Sequence, residues 1–218
     1  MRQLILELLP EVPPRFDNFV AGGNAEALTG LAAWLAPENR DSSLLLWGEA
    51  GAGKTHLLLA SEALYHDAST DPDLINVGET SSFHAVDNVE ALSNVGQIVL
   101  FNLFNRLRSN RGRLLTSASQ APRHLALRED LRTRLGSGQI YPIRTLTDDE
   151  KKAALAAQAT ARGLRFPPDA LDYLLARAPR DMRSLMGLLT ALDHYSLEHK
   201  RAITLPLLRE VLQSSLAR

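Results

Sequence analysis

No cysteine occurs among the 218 residues, which excludes disulfides and thiolate metal sites and fits a reducing compartment, the cytoplasm being the simplest. Charge of one sign is also missing. Lys and Arg number 24 against 25 Asp and Glu, a formal net charge of -1, so no global positive field holds polyanionic DNA and nucleic acid is not the default partner. Long hydrophobic runs are absent too. The apolar stretch at residues 4–9 is cut by Glu7, is too short to span a bilayer, and lacks the basic flank and small-residue cleavage site of a signal peptide, so no membrane role is expected. Neither an internal repeat nor a low-complexity tract interrupts the chain, whose length suits a real core divided into two unequal parts.

What is present is a change of pattern partway along. Pro10-Glu11-Val12-Pro13-Pro14 cannot supply regular backbone hydrogen bonds and reads as an extended linker behind a tethered nonapeptide. Asn24 is placed to cap a helix over 25–36 with Ala27, Leu28, Leu31 and Leu35 on one stripe. Residues 44–47 form a short apolar run, the mark of a strand buried on both faces, and 55–65 continue as a helix. A second strand ends at Asp87, a helix over 95–108 follows from Val95, Val99, Leu103 and Leu107, and 114–117 is a further strand. Strands alternating with helices imply an α/β domain with a parallel, doubly wound sheet in three layers. One stretch resists this picture. Residues 74–77 look like a strand, yet 78–82 are too few for a parallel crossover, so a trimmed sheet is expected there. From Thr147 the pattern is helical throughout. Thr147 and Glu150 form a capping box, Gly163 closes that helix, Pro167-Pro168 opens another, Asp181 caps a third to about Leu197, and Thr204 caps a last one carrying Leu207, Leu208, Val211 and Leu212.

Gly48-Glu49-Ala50-Gly51-Ala52-Gly53-Lys54-Thr55 matches GxxxxGK[ST] between an expected strand and an expected helix, which is the context the motif requires. Glycines let successive N–H groups face phosphates, and the new helix adds its positive end. Lys54 is then the residue that neutralises the outer phosphates, and Thr55 a ligand of magnesium. Phe83-His84-Ala85-Val86-Asp87 ends an apolar strand in a carboxylate suited to the same metal. Any buried strand could end in Asp, but the phosphate loop upstream favours the metal role.

These features, with Phe16-Asp17-Asn18-Phe19-Val20, His56-Leu57-Leu58, Asp87-Asn88-Val89-Glu90, Phe104-Asn105-Arg106-Leu107-Arg108 and Leu131-Arg132-Thr133-Arg134-Leu135, resemble the DnaA/Hda branch of AAA+ proteins from Phe16 to about Leu212. The resemblance implies a P-loop AAA+ domain over 15–146, a small all-α lid over 147–218, and a tail and linker over 1–14. The initiator DnaA continues into a helix-turn-helix domain, whereas this chain stops after the lid, which points to the regulatory side of the branch.

By that resemblance Asn18 and Val20 face the adenine base. Gly48, Gly51, Ala52, Gly53, Lys54, Thr55 and His56 hold ADP or ATP, and Thr55 and Asp87 hold Mg2+. Arg183 is the lid arginine that reaches the nucleotide, and Arg134 occupies the arginine-finger position. Ser119 stands weakly for the polar sensor, where the family often has Asp.

Structural alternatives stand beside these roles. Phe16 and Phe19 could staple the first helix to the core, Arg183 could pair with a lid carboxylate, and Arg132 reads as a solvated surface arginine. Gln3, Leu4, Leu6 and Leu8 resemble peptides that dock on the bacterial sliding clamp, the beta subunit of DNA polymerase III; the alternative is an edge strand or helical turn packed on its own domain. The implied partners are thus the DnaA initiator and the clamp, with DNA reached only indirectly, a replisome-associated cytoplasmic location, and self-association as a further option. A stand-alone ATPase and a helicase-loading or localisation adaptor are the competing functions.

Position 88, where many AAA+ ATPases carry a second acid, is Asn88, which cannot take a proton. Loss of a general base is worth about 10²- to 10⁴-fold in rate. Steady-state ATP turnover by the isolated chain is therefore expected to be feeble, and a vigorous turnover abolished by Lys54→Ala would contradict this.

Overall fold

The computed structural model describes residues 13–78, 80–164, 166–167, 169–179, 181–199 and 203–209. They fall into two compact units, one spanning Pro13–Thr145 and one from Leu146 onward.

The first unit is built on five parallel strands: β1 (Ser43–Trp47), β2 (Leu64–Asp67), β3 (Phe83–Asp87), β4 (Arg113–Ala118) and β5 (Gln139–Pro142), in spatial order β2-β3-β4-β1-β5. Four helices accompany them: α1 (Ala25–Leu35), α2 (Lys54–Ala60), α3 (Asn94–Ser109) and α4 (Glu129–Leu135). Side chains that alternate along a strand face opposite sides, and the two cores divide accordingly. Leu45, Val86 and Leu114 enter the core with Leu100, Leu103 and Phe104 of α3, whereas Leu44, Leu46, Ala85 and Leu115 enter the core with Leu31 and Trp34 of α1 and Leu57 and Leu58 of α2. Helix, sheet and helix thus make three layers, as the uninterrupted apolar strands require.

Three local expectations are corrected. The second strand is neither lost nor at 74–77. It is β2, drawn from the end of what the sequence suggests is a helix over 55–65. Helix α2 stops at Ala60, where the Ser61 hydroxyl donates to the Leu58 carbonyl, and Glu62 turns the chain at φ +59°. The crossover to β3 runs over 68–82, whose described residues form no helix, and Leu74 is buried there with a φ of +52°.

Helix α3 presents Leu100, Leu103, Phe104 and Leu107 to the core and leaves Val95 57% exposed. The cause is Gly96, where an added Cβ would lie 2.0 Å from the Pro72 carbonyl oxygen: the crossover presses on the first turn and rotates the buried face. Ser93, not foreseen, caps this helix by accepting from the Val95 and Gly96 N–H groups.

Asn24, finally, does not cap α1 with its side chain. Its amide is turned to the chain leaving β5, where Nδ2 donates to the Arg144 carbonyl at 2.9 Å and Oδ1 accepts from the Arg144 N–H at 2.8 Å. The expected stripe on α1 holds for Ala27 and Leu31, with Trp34 as its fully buried member and Leu28 and Leu35 partly buried.

The second unit contains α5 (Asp148–Ala161), α6 (Ala170–Arg177), α7 (Met182–His199) and a helical turn at 205–209 around an apolar core that includes Leu155, Leu174, Leu185, Leu188 and Leu208. The Thr147–Glu150 capping box forms with both of its bonds, Gly163 takes φ +71° after α5, and Asp181 caps α7 through the Ser184 N–H at 2.8 Å. Val211 and Leu212 lie outside the described residues. No helix among the described residues is long and apolar enough to cross a membrane.

Replacing Asn24 by Ala removes both partners of the Arg144 backbone, and a buried group left unpaired costs about 1–3 kcal/mol. A urea titration of Asn24→Ala is expected to show a lower midpoint at unchanged slope.

Candidate functional site

The C-terminal ends of β1, β3 and β4 converge on the loop between β1 and α2. That loop is glycine-rich because its backbone is crowded at two positions and takes a positive φ of +78° at a third, Gly51. At Gly48 (φ +156°) a Cβ would lie 2.0 Å from the Ile143 carbonyl oxygen, and at Gly53 (φ +99°) one would lie 2.6 Å from the Phe19 ring. Lys54, only 8% exposed, folds back so that its ammonium donates to the Gly48 carbonyl at 2.7 Å and the Glu49 carbonyl at 2.9 Å. Burial lowers its pKa from the ordinary lysine value, and the charges of Asp87 and Glu90 oppose that shift. A cation held by two carbonyls and no carboxylate is able to exchange those partners for phosphate oxygens.

Asp87 has no exposed surface, and three hydroxyls from three elements converge on it. Thr55 donates to Oδ2 at 2.6 Å, Tyr65 donates to the same oxygen at 2.9 Å, and Ser117 donates to Oδ1. Thr55 and Asp87, expected to meet, do meet. Hydroxyl and carboxylate oxygens are the hard donors magnesium takes when phosphates complete its shell. With a Cβ-free cradle beside Lys54, the residues present fit a magnesium-bound polyphosphate.

Ser117, Tyr65 and Asp67 were not anticipated from the sequence. Ser117 is wholly buried, and besides donating to Asp87 it accepts the Asn88 N–H at 3.0 Å. The available signal was a pair of hydroxyl residues, Thr116 and Ser117, at the end of the apolar run of β4. Ser119, the expected sensor, lies exposed beyond β4, and its N–H donates to Glu90 at 3.0 Å; Ser117 is the β4 residue that touches Asp87. Asn88 sits in the left-handed region (φ +56°), and its amide donates to the Asp67 carboxylate at 3.0 Å, so it ties the tips of β2 and β3 together.

The segment before α1 rests on the same loop. His56 donates from Nε2 to the Arg15 carbonyl at 2.8 Å and meets the Phe19 ring edge-on at 5.4 Å. Asn18 spends its amide locally, accepting from the Arg15 N–H and donating to the Pro13 carbonyl, both at 2.9 Å. Val20 is half-buried. Phe19 thus packs as a staple would, whereas Phe16 is 42% exposed.

Arg134 stands on the last turn of α4, half-buried, with its guanidinium 5.9 Å from the Phe101 ring centre and 6.0 Å from that of Phe104. Arg132 is within 3.7 Å of the exposed Glu129, a loose surface pair. Arg183 lies exposed on the first turn of α7 in the second unit, and no described carboxylate pairs with it. Gln3, Leu4, Leu6 and Leu8 lie outside the described residues.

Residues 148–212 match the family model described as the Hda lid domain. The chain is similar in structure to domain III of the replication initiation protein DnaA from Thermotoga maritima, at 20% identity over 96% of this chain and 100% of that one, with a TM-score of 0.72. AMPPCP-bound DnaA from Aquifex aeolicus matches at 20% identity over 89% of this chain and 71% of its own, TM-score 0.67. The Holliday junction branch migration motor RuvB of Thermotoga maritima matches at 16% identity over 96% and 73%, TM-score 0.64. At these identities the structural likeness establishes the fold.

Behind β3 and β2 the rings of His66 and His84 stack, with His66 Nε2 and His84 Nδ1 3.2 Å apart and His84 Nε2 3.2 Å from the Ser81 carbonyl. Desolvation lowers both pKa values below 6.5; Asp71 opposes the shift at His66, while Arg106 adds to it at His84. The unfolded chain therefore binds more protons below about pH 6.5, and stability falls as pH falls through that window. The urea midpoint is expected to be lower at about pH 5.5 than at about pH 7.5, and this difference to shrink in His66→Gln/His84→Gln.

Proposed function

We propose that this chain, which shares the fold of DnaA domain III and whose residues 148–212 match the Hda lid model, is an Hda-like protein that restrains replication initiation by promoting hydrolysis of ATP held by the initiator DnaA. In this reading the phosphate loop takes ADP or ATP with Mg2+. Lys54 would exchange its carbonyl partners for the outer phosphates, Thr55 and Asp87 would hold the metal, and Asn18, Val20 and His56 would line the base side. Arg183 would add a charge from the lid. Bound magnesium would supply positive charge against the phosphate oxygens. The parts proposed are a tail and linker over 1–14, a nucleotide-binding domain over 15–146 and a lid over 147–218.

One observation carries the regulatory reading: the position for a second catalytic acid is Asn88, and its amide is committed to Asp67. Such a site suits nucleotide retention more than turnover. Arg134, by contrast, has no described carboxylate partner and stands at a helix end, where it could enter a neighbour's site. A guanidinium supplied by a partner stabilises charge developing on the transferred phosphoryl group, worth about 10³- to 10⁵-fold in rate. The tail, through Gln3, Leu4, Leu6 and Leu8, would grip the DNA-loaded sliding clamp and bring Arg134 to the initiator.

A reconstituted assay with ATP-loaded DnaA and DNA-loaded clamp tests this. Arg134→Ala is expected to lose the stimulation while its melting temperature and nucleotide affinity survive, and deletion of residues 1–9 to lose clamp capture. Normal stimulation by Arg134→Ala would remove Arg134 from the mechanism.

A further inference from the structure

At the opposite ends of the strands from the phosphate loop, a cleft of about 880 Å3 opens where β1 and β4 begin. Five arginines reach its lining: Arg40 after α1, Arg108 near the end of α3, Arg111, Arg113 at the start of β4, and Arg134 on α4. Asp41 is the only carboxylate there, and it already accepts from the Gln139 amide at 2.6 Å. Arg113 is also committed, donating to the carbonyls of Leu35 and Ala36 at 2.8 Å each and lying over the Trp34 ring. The other four have no ion pair with a described carboxylate.

A chain of net charge -1 has acid to spare, yet this cleft gathers unpaired cations that repel one another. An anion in the cleft reverses that repulsion. Its chemistry follows from the lining. Guanidinium groups bind phosphate oxygens two at a time. Single-stranded nucleic acid wants a long groove with exposed aromatic rings for its bases. Here the cations ring one cleft, and the single aromatic of the lining, Phe104, is 3% exposed. We propose that this arginine cleft is a second anion site, which binds an oligophosphate chain between Arg40, Arg108, Arg111 and Arg134. The chain could be the tail of a nucleotide held by a neighbouring AAA+ molecule, which rests on the reading of Arg134 given above, or a free oligophosphate.

Equilibrium dialysis of the full-length chain, saturated with ADP, against radiolabelled inorganic tripolyphosphate tests the site without any partner. Expected is about one tripolyphosphate per chain beyond the ADP, weakened by about tenfold or more in Arg40→Gln/Arg108→Gln/Arg111→Gln, whose replaced side chains are exposed arginines that bind oxygens in pairs. ADP affinity and the circular dichroism spectrum should be unchanged in that variant. No uptake beyond ADP, or equal uptake by the variant, overturns the proposal. So does arginine-dependent binding of a single-stranded oligonucleotide without binding of tripolyphosphate. The same variant, with Arg134 intact, then separates the sources: lost stimulation of DnaA assigns the site to the neighbour's nucleotide, and retained stimulation assigns it to free oligophosphate. Failure of the Arg134 mechanism would leave the dialysis result untouched.

Discussion

The fully buried carboxyl group of Asp87 is the constraint on which the first unit turns. A polar group removed from water is costly unless its oxygens accept hydrogen bonds, and here the donors come from α2, β2 and β4. Each donor fixes an element. Thr55 sets where α2 starts, Tyr65 holds the edge strand in register with β3, and Ser117 joins β4 to β3 while also taking the Asn88 N–H. The same contacts that satisfy the carboxyl group bring the phosphate loop, the metal-side acid and the strand tips into one place. Packing and site are therefore one arrangement.

That dependence explains which parts were legible in the sequence. The phosphate loop, β3, β4 and the caps of α5 and α7 are written in local signals, a motif spacing, an apolar run, a capping box, and local hydrogen bonds realise them. β2 was hidden because nothing in Ser61-Glu62-Ala63 marks a turn: Glu62 takes a left-handed conformation without being glycine, and the strand gains its identity only by pairing with β3. Tertiary contacts override local preference in the same way at Asn24, whose amide is worth more on the Arg144 backbone than on its own helix end. Ser117 could be read only as a polar residue in an apolar strand. Its partner, thirty residues away in sequence, became visible once β3 and β4 were aligned.

The two ends of the sheet also differ in how their charges are settled. At the C-terminal ends Lys54 is held by carbonyls and Asp87 by hydroxyls, so each charge is solvated by neutral groups that a ligand can displace or retain. At the N-terminal ends one arginine, Arg113, is spent on closing α1, and four more have no ion pair with a described carboxylate. Average charge conceals this division, since nearly equal numbers of acids and bases describe a balanced chain and say nothing of where the unpaired cations stand. Arg134 belongs to that second population and lies against two aromatic rings, an attraction of about 0.5–1 kcal/mol at exposed sites. That is strong enough to orient a guanidinium and weak enough to release it. A side chain so held differs from one locked in a buried ion pair, whose removal from its partner would cost several times more. The arrangement therefore keeps this arginine ordered while leaving it free to neutralise charge on another molecule.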